Sequence, residues 1–588
     1  MLKHIIENKN KNMKIIQFNS KTASSCVKET GEKTRKKITG FFVPLMLSLL
    51  LVLPSGCNFL DYNEIDNYEK GEVFTVSNRV KSLLANVYSY LPEYFLPVDG
   101  AMRASASDEA LHVLSTSSVL KLNNGSWSAT NTADDVWTSM YSGIRSANFF
   151  IDNATGLTFD EEKYGSSYGP DMIRYSYYTS EARFLRAFFY FELIKRYRDV
   201  PLITKVLSEE EANNVERTSF DNVVNFIVSE CDAVSAQLPA SFKTVPGAET
   251  GRANRYAALA LKTRVLLYAA SPLNNPSNNI QKWINAANAA KAIIDGGGYS
   301  LQAYNTIVNN LNSTELILEK RYADANSFER ANFPIGYEGG NTGTCPTQNL
   351  VDAYEMKTTG LAISDPGSGY DPANPYANRD PRLSATIIYN GSTWKSSPVE
   401  IWVGGKNGPP KVNATKTGYY LRKNVVEAVN LEQGKPITTA KHNGVMFRYG
   451  EVLLNYAEAM NEAYGPDATG TGILTMTART AVNLIRTRAT MPVFTTGLSQ
   501  AGFRTKLRNE RRVELAFEDH RFWDIRRWKI GNTTTAIYGT DIAKGASNNI
   551  TYTSKLVEQR IWDDRMYFYP IPQRELFINK KLTQNTGW

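Results

Sequence analysis

Histidine and cysteine are scarce in this chain. Its 588 residues hold four of each: His4, His112, His442 and His520, and Cys26, Cys57, Cys231 and Cys345. No HExxH, no histidine pair at i,i+4 and no CxxC occurs, so motif-type zinc and dithiol chemistry are excluded. No GxSxG elbow occurs either. The glycine-rich "GGKNGPP" (Gly404–Pro410) lacks the Lys-Ser/Thr ending of a phosphate loop. Acidic loops such as "SGYDPANPYANRD" do not show EF-hand spacing. No cofactor is expected, and with so few histidines no nucleophilic triad is expected. The most apolar stretch, Phe41–Leu53, is thirteen residues long. At about 1.5 Å rise per residue it cannot cross a hydrocarbon layer of roughly 30 Å.

Charge of one sign is missing once its position is considered. The net charge of +8 suggests a nucleic-acid partner. Ten of the 66 basic residues and three of the 58 acidic ones fall in residues 1–56, so 57–588 carry 56 basic and 55 acidic groups. No nucleic-acid role is expected of so balanced a remainder. The basic "KTRKK" (Lys33–Lys37) followed by Phe41–Leu53 has the order of a secretory signal. The stretch before Lys33 is long for such a signal, which makes Met13 a second candidate start. "PSGC" follows, with Gly56 before Cys57, as in a bacterial lipobox. Pro54 departs from that pattern, where an aliphatic residue is usual. Cys57 is therefore expected to carry lipid, with several acyl chains anchoring the protein stably. Cys231 falls in the helical pattern "FDNVVNFIVSECDAVSAQL" as a core residue and Cys345 falls in a loop. A disulfide between them stays open.

What is present is globular: 42% hydrophobic, 21% charged, 11% aromatic, with 32 Tyr. Helical periodicity is strong in several segments. "DDVWTSMYSGIRSANFFID" places Trp137, Tyr141, Ile144 and Ala147 or Asn148 on one stripe. "SEARFLRAFFYFELIKRY" is apolar almost all round, which predicts a buried helix ending before Pro201. "NRYAALALKTRVLLYAASP" and "WINAANAAKAIIDGGGYSL" follow, the second expected from Trp283 to the glycines at 296–298. "RYGEVLLNYAEAMNEA" (Arg448–Ala463) and "RTAVNLIRTRA" (Arg479–Ala489) form a further pair. Small residues on their faces (Ala257, Ala258, Ala286, Ala287, Ala290, Ala457, Ala459) allow close helix approach, as in tetratricopeptide-type stacks. Between about Asn305 and Lys441 the chain is rich in Gly, Pro, Asn, Thr and Tyr, without helical period. Loops with a few short strands are expected there, and loops on a rigid frame often carry binding residues.

The densest charge lies in "ERRVELAFEDHRFWDIRRWK" (Glu510–Lys529). Glu514 and Glu518 at i,i+4 could form a hydrolytic acid pair. Arg511–Glu514, Glu518–Arg521, Arg521–Asp524 and Asp524–Arg527 at i,i+3 instead predict a solvated, charge-paired helix face. His520 is expected to be a structural hydrogen bonder. Ligand chemistry is expected in aromatic, polar loops, because Trp and Tyr faces stack on sugar rings while Asn, Asp and Arg bond hydroxyls. Glu93–Thr130 carries Tyr94, Phe95, Asp108, Glu109, Asn123, Asn124 and Trp127. Phe328, Phe333, Tyr337, Trp394 and Trp402 lie in later loops.

Taken in order, "CNFLDYNE", "ASDEA", "VWTSMYSGIRSANFFID", "SEARFLRAFFYFELIKRYRDVPLI", "ALKTRVLLYAASPLN", "LVDAYEM", "NRDPRLSATIIYNG", "RYGEVLLNYAEAMNEA", "LRNERRVELAFEDHRFWDIRRWK" and "YFYPIPQRELFINKKLTQNTGW" resemble the SusD/RagB family of Bacteroidota outer-membrane lipoproteins. Asp519 departs from that pattern, where a glycine often follows the glutamate. The resemblance implies a mainly α fold of about four tetratricopeptide-like helix pairs with a large irregular region carrying short strands. It implies removal of residues 1–56 and one domain over 57–588. Within it the helical frame covers about 70–300 and 446–530, and the ligand region about 305–441. It further implies a surface-exposed, lipid-anchored protein of the outer membrane that captures glycans, or alternatively peptides or glycopeptides. Such a protein works without catalysis, as the lid of a SusC-type TonB-dependent transporter. By position, Trp127, Tyr337, Asp108, Asn123 and Arg103 are the ligand-binding candidates.

Overall fold

The computed structural model describes residues 70–588, so the expected signal segment and Cys57 lie outside the described residues. Helices form, most of them where the apolar period predicts them: α1 (Ser77–Ser89), α2 (Trp137–Asn153), α3 (Tyr178–Tyr197), α4 (Phe220–Gln237), α5 (Arg255–Ala270), α6 (Ile280–Gly296), α7 (Tyr449–Tyr464), α8 (Ala478–Arg488), α9 (Gln500–Glu514) and α10 (Arg521–Arg527), with α1 not signalled by the sequence. Side-chain caps start several of them. Asn254 accepts from Ala257 N at α5, and Thr477 and Ser499 do the same for α8 and α9. The all-round apolar helix α3 is central: 17 of its 20 residues are buried, and α1, α2, α4 and α5 all pack on it.

Packing then runs α2–α3–α4–α5–α6–α7, with α8 and α9 both against α7. This is the tetratricopeptide-like frame expected from the sequence. The chain leaves the frame after α6 and re-enters at α7, which packs directly on α6. Residues 297–448 are thus an insertion between two neighbouring helices, and they hold most of the short strands. The alanines Ala257, Ala258, Ala286, Ala287 and Ala290 are all buried on α5 and α6. Gly143 plays the same part on α2, because a Cβ there would lie 2.8 Å from the Phe189 ring and 2.9 Å from Tyr90 Cβ. Gly143→Val is therefore expected to cost about 1–3 kcal/mol by overpacking, read as a lower thermal midpoint.

Among the described residues, five two-stranded antiparallel sheets pin the irregular parts. β1 (Ala110–His112) pairs with β3 (Thr344–Pro346), joining the first polar insertion to the later loops. β2 (Leu316–Arg321) pairs with β8 (Asn443–Arg448) and closes the base of the insertion. β4 (Ile387–Ile388) pairs with β7 (Tyr420–Leu421), β5 (Thr393–Trp394) with β6 (Ser397–Pro398), and β9 (Ala536–Lys544) with β10 (Ile550–Gln559). Two apolar clusters underlie these loops, one around Tyr354, Ile387 and Phe517, the other around Trp394, Ile401 and Leu431. Cys231 and Cys345 are both buried free thiols, so the disulfide left open by the sequence does not form.

Glu510–Lys529 departs from the expected solvated helix. It is two helices, α9 and α10, broken by a turn in which Phe517 (φ 59°) and Asp519 (φ 62°) are left-handed. That conformation is the one that favours glycine. Aspartate tolerates it, and here its carboxylate accepts from Arg103 Nη1 at 2.5 Å. The charges are interior. Glu510, Glu514, Glu518, Asp524, Arg511 and Arg527 are all buried. Of the four expected i,i+3 pairs, Asp524–Arg527 forms at 2.7 Å. The other groups reach across the fold. Glu514 binds Arg448, Arg382 and Arg488; Glu518 binds Arg448 and Lys423; Arg521 binds Asp108. Burial is the reason: a buried charge needs a partner, and partners on other elements satisfy it while tying those elements together. His520 is buried 3.4 Å from Arg511 Nη2. Burial and then Arg264 and Arg511 hold its pKa well below the usual value, so it stays neutral.

Candidate functional site

The insertion is held to the frame by arginines. Arg382 donates to Asp380 within its loop (2.7 Å) and to Glu510 (2.6 Å) and Glu514 (2.9 Å) on α9. Arg379 donates to the carbonyls of Val351, Tyr354 and Pro375. The last of these bonds, at 2.8 Å, fixes the residue immediately before Tyr376. Tyr389 directly follows β4, and a turn in which its N–H donates to Ser392 Oγ sets its direction. Tyr552 arrives on β10.

These anchors gather four half-buried tyrosines. Tyr376 stacks on Tyr389 with ring centroids 4.2 Å apart and planes 24° apart. Tyr552 meets Tyr376 edge-on at 5.5 Å, and buried Tyr419 does so at 6.2 Å. Tyr370 lies beside them against Arg379, whose guanidinium carbon is 5.6 Å from the ring centroid. Polar groups rim the rings. Tyr376 Oη donates to Tyr419 Oη at a long 3.5 Å. Tyr419 Oη donates to Gln348 Oε1 (2.6 Å), and Gln348 Nε2 donates to Asp352 Oδ1 (2.6 Å). Asn390 Nδ2 donates to Tyr552 Oη (3.2 Å), and Ser384 Oγ lies 3.2 Å from Tyr389 Oη. Burial raises the phenol pKa of Tyr370, Tyr376 and Tyr552 above the ordinary tyrosine value. These rings are neutral at any physiological pH. The arrangement offers apolar faces edged by amide and hydroxyl groups, with Arg379 and Asp352 also in the rim, which suits sugar rings and their hydroxyls. Among the described residues, no group of three or more His, Cys, Asp or Glu is placed to hold a metal.

The residues named from the sequence lie elsewhere. Trp127 is 2% exposed, its ring edge-on to Tyr569 (4.9 Å) and Trp588 (4.5 Å). It packs the C-terminal segment against the frame and offers no stacking face. Asp108 is buried between Arg521 (2.8 Å) and Arg512 (3.1 Å). Arg103 is buried against Asp134 (2.8 Å) and Asp519. Asn123 is buried and donates to Ser105 O (3.1 Å). These four are interior for one physical reason: the polar insertion folds back under β1 and the C-terminal strands, where its charged and amide groups find partners. Tyr337 is half-buried in the Trp394 cluster, donating to Trp394 O at 3.1 Å, with Lys406 Nζ 5.2 Å from its ring centroid. The structure does not bring the five together. Tyr370, Tyr376 and Tyr389 fall in "SGYDPANPYANRD" and "NRDPRLSATIIYNG", and none of the three is among the candidates drawn from the sequence. The usable signal was tyrosine density in a Pro- and Asn-rich loop, where each ring follows or precedes a turn residue.

Comparison with known proteins supplies an independent view. A family model described as "SusD family" matches residues 314–588, and one described as "Starch-binding associating with outer membrane" matches 58–267. A curated relative, SusD-like protein P25 of Formosa agariphila, is 24% identical over 424 residues, covering 68% of this chain and 71% of its own length. The crystal structure of a SusD-like protein from Bacteroides fragilis superposes with a TM-score of 0.74 at 28% identity, covering 89% of this chain and 99% of that one. A SusD-like carbohydrate-binding protein from the same organism superposes with a TM-score of 0.68 at 27% identity, covering 87% and 100%.

Proposed function

Because this chain is a member of the SusD/RagB family, we propose that it captures glycans at the cell surface and delivers them, as a lid, to a SusC-type TonB-dependent transporter. Lipid on Cys57 would hold it to the outer membrane, with which the family model matching its N-terminal half is associated. The observation that carries the glycan reading is the stacked Tyr376–Tyr389 pair, flanked by Tyr552 and Tyr370, on the insertion. Neutral phenols edged by Asn390, Ser384 and Gln348 match a neutral, hydroxyl-rich ligand. A peptide would draw more on charge, and here the buried charges are spent on one another. The step is capture, with no bond made or broken: affinity on the tyrosine face, then handover when the lid closes.

An affinity-gel or glycan-array screen of the purified protein tests this. Retention by at least one polysaccharide, with no reducing ends released, is expected. Binding to peptides alone, or hydrolysis of the retained glycan, contradicts it. For the anchor, Cys57→Ala is expected to move the protein from the membrane fraction to the soluble fraction, and persistence in the membrane contradicts the lipid.

A further inference from the structure

A cleft that shares no lining residue with the tyrosine patch lies where the helical frame meets the start of the insertion. It has a volume of about 240 Å³ and opens between the loop that joins α4 to α5, the end of α6 and β2. That is smaller than the sites that take drug-sized ligands, and it suits one sugar ring. Its walls are built. Phe242 is buried with the Arg252 guanidinium carbon 4.2 Å from its centroid. Tyr299 is half-buried, its hydroxyl accepting from Asn254 Nδ2 at 3.4 Å.

The charges around the cleft do not cancel. Arg252 is spent on Glu181 and Glu249, and Glu249 also takes Lys81. Arg321 gives Nε and Nη2 to Glu319 (2.8 and 2.7 Å) and keeps Nη1 without a partner among the described residues. Lys243 lines the cleft, is exposed, and has no ion-pair partner among the described residues. Lys243, Arg252, Arg321 and Glu319 are the charged residues that line the cleft; with Arg252 spent on acids outside the lining, the surplus is one positive charge. Gly251 is left-handed at φ +84°, and a Cβ there would lie 3.1 Å from Arg321 Nε. That closeness shapes the wall on which Arg321 lies.

From this geometry we infer that the cleft is a second binding site, for one acidic sugar residue. Its carboxylate would be held by Lys243 Nζ and Arg321 Nη1, and its ring would lie against Tyr299. A neutral sugar forgoes the charge-assisted bonds, and a bare carboxylate forgoes the ring contact. The site is independent of the tyrosine patch, so a glycan could be held at two points of the same molecule, which raises avidity without any new contact.

Calorimetric titration of the intact protein with D-glucuronate, D-glucose and acetate tests it. Saturable glucuronate binding is expected, with glucose and acetate each weaker by roughly ten-fold or more, the loss of one charge-assisted bond or of the ring contact. Lys243→Gln is expected to weaken glucuronate roughly ten-fold, and Lys243→Arg to restore it. Because Lys243 is exposed, neither change threatens the fold. A Tyr376→Ala/Tyr389→Ala protein is expected to bind glucuronate like wild type, which separates this site from the patch. Glucuronate no tighter than glucose, acetate as tight as glucuronate, or unchanged affinity in Lys243→Gln would overturn the inference.

Discussion

An Arg448→Met protein is expected to lose about 3–5 kcal/mol of stability, the cost of leaving buried carboxylates without their cation. Arg448, the last residue of β8, donates to Glu315 and Glu514 at 2.7 Å and to Glu518 at 2.7 and 2.9 Å. It also donates to the Glu514 carbonyl at 2.8 Å. Methionine keeps much of the volume but none of these bonds. Glu514 keeps Arg382 and Arg488, and Glu518 keeps Lys423, whereas Glu315 keeps the Gln302 N–H at 2.8 Å but no cation nearer than Arg488 at 3.7 Å. The penalty therefore concentrates on Glu315, and the strand that re-enters the frame loses its anchor. The exposed pair Lys555–Asp541 on the hairpin serves as control, since breaking it is expected to cost no more than about 0.5 kcal/mol. Thermal unfolding of the two variants beside wild type checks both.

Other buried acid–base clusters set the acid limit. Burial alone would raise the pKa of Glu458, but Arg527 outweighs it and holds the group at about 2. Glu192 is likewise held at about 2, where Lys195 and Arg196 outweigh burial. Depressed folded pKa values contribute stability that is present above the unfolded value, about 4.3 for glutamate, and is lost as pH falls through the folded value. Stability is expected to fall steeply between about pH 4.3 and about pH 2. His520 adds to the fall from about pH 6.5 downward, since the unfolded chain takes the proton that the folded one refuses.

The second large effect is a contrast between neighbours. Asp108→Asn is expected to destabilise by several kcal/mol, roughly 3–5, while Glu109→Gln is expected to be neutral or stabilising. Both acids are buried, but Asp108 receives Arg521 through two bonds (2.8 and 2.9 Å) and Arg512 as well. Those cations outweigh burial and keep its carboxyl below the usual carboxylate range. Glu109 lacks a direct pair, and its Oε1 has no hydrogen-bond partner among the described residues. Burial, against a weaker pull from Arg512 and Arg521, pushes it up to about 8. A raised carboxyl contributes stability that is fully present below about pH 4.3 and is lost as pH rises through about 8. The advantage of Glu109→Gln over wild type is thus expected to grow between those limits. Unfolding midpoints measured at pH 5 and pH 8 read it directly.

The frame was legible in the sequence because helix period and small-residue faces are local signals. Apolar residues all round 178–197 implied a buried helix, and α3 is one. The Pro/Gly/Asn/Tyr composition of 305–441 implied loops, and the insertion holds them. What failed was any inference that needed to know which charges are inside. Periodicity places Glu514 beside Arg511, yet the partners of Glu514 are 26 to 132 residues away in sequence. Long-range pairing leaves no local trace. The burial of Trp127, Asp108, Asn123 and Arg103 was hidden for the same reason: polar and aromatic residues in an irregular segment read as surface. Here the segment is folded under β1 and the C-terminal residues Tyr569 and Trp588. The tyrosine patch was hidden because its members come from three separate segments, at 370–376, 389 and 552, that meet only through β4–β7 and the β9–β10 hairpin.

The central claim is that the insertion presents Tyr376 and Tyr389 to a glycan. The direct measurement is the dissociation constant of the glycan found in the screen for wild type, for Tyr376→Ala/Tyr389→Ala, and for Tyr164→Ala as an exposed aromatic far from the patch in sequence. Loss of the stacked pair is expected to cost about 2 kcal/mol or more, roughly a 30-fold weaker affinity, with Tyr164→Ala unchanged. Wild-type affinity in a folded Tyr376→Ala/Tyr389→Ala protein would contradict the account.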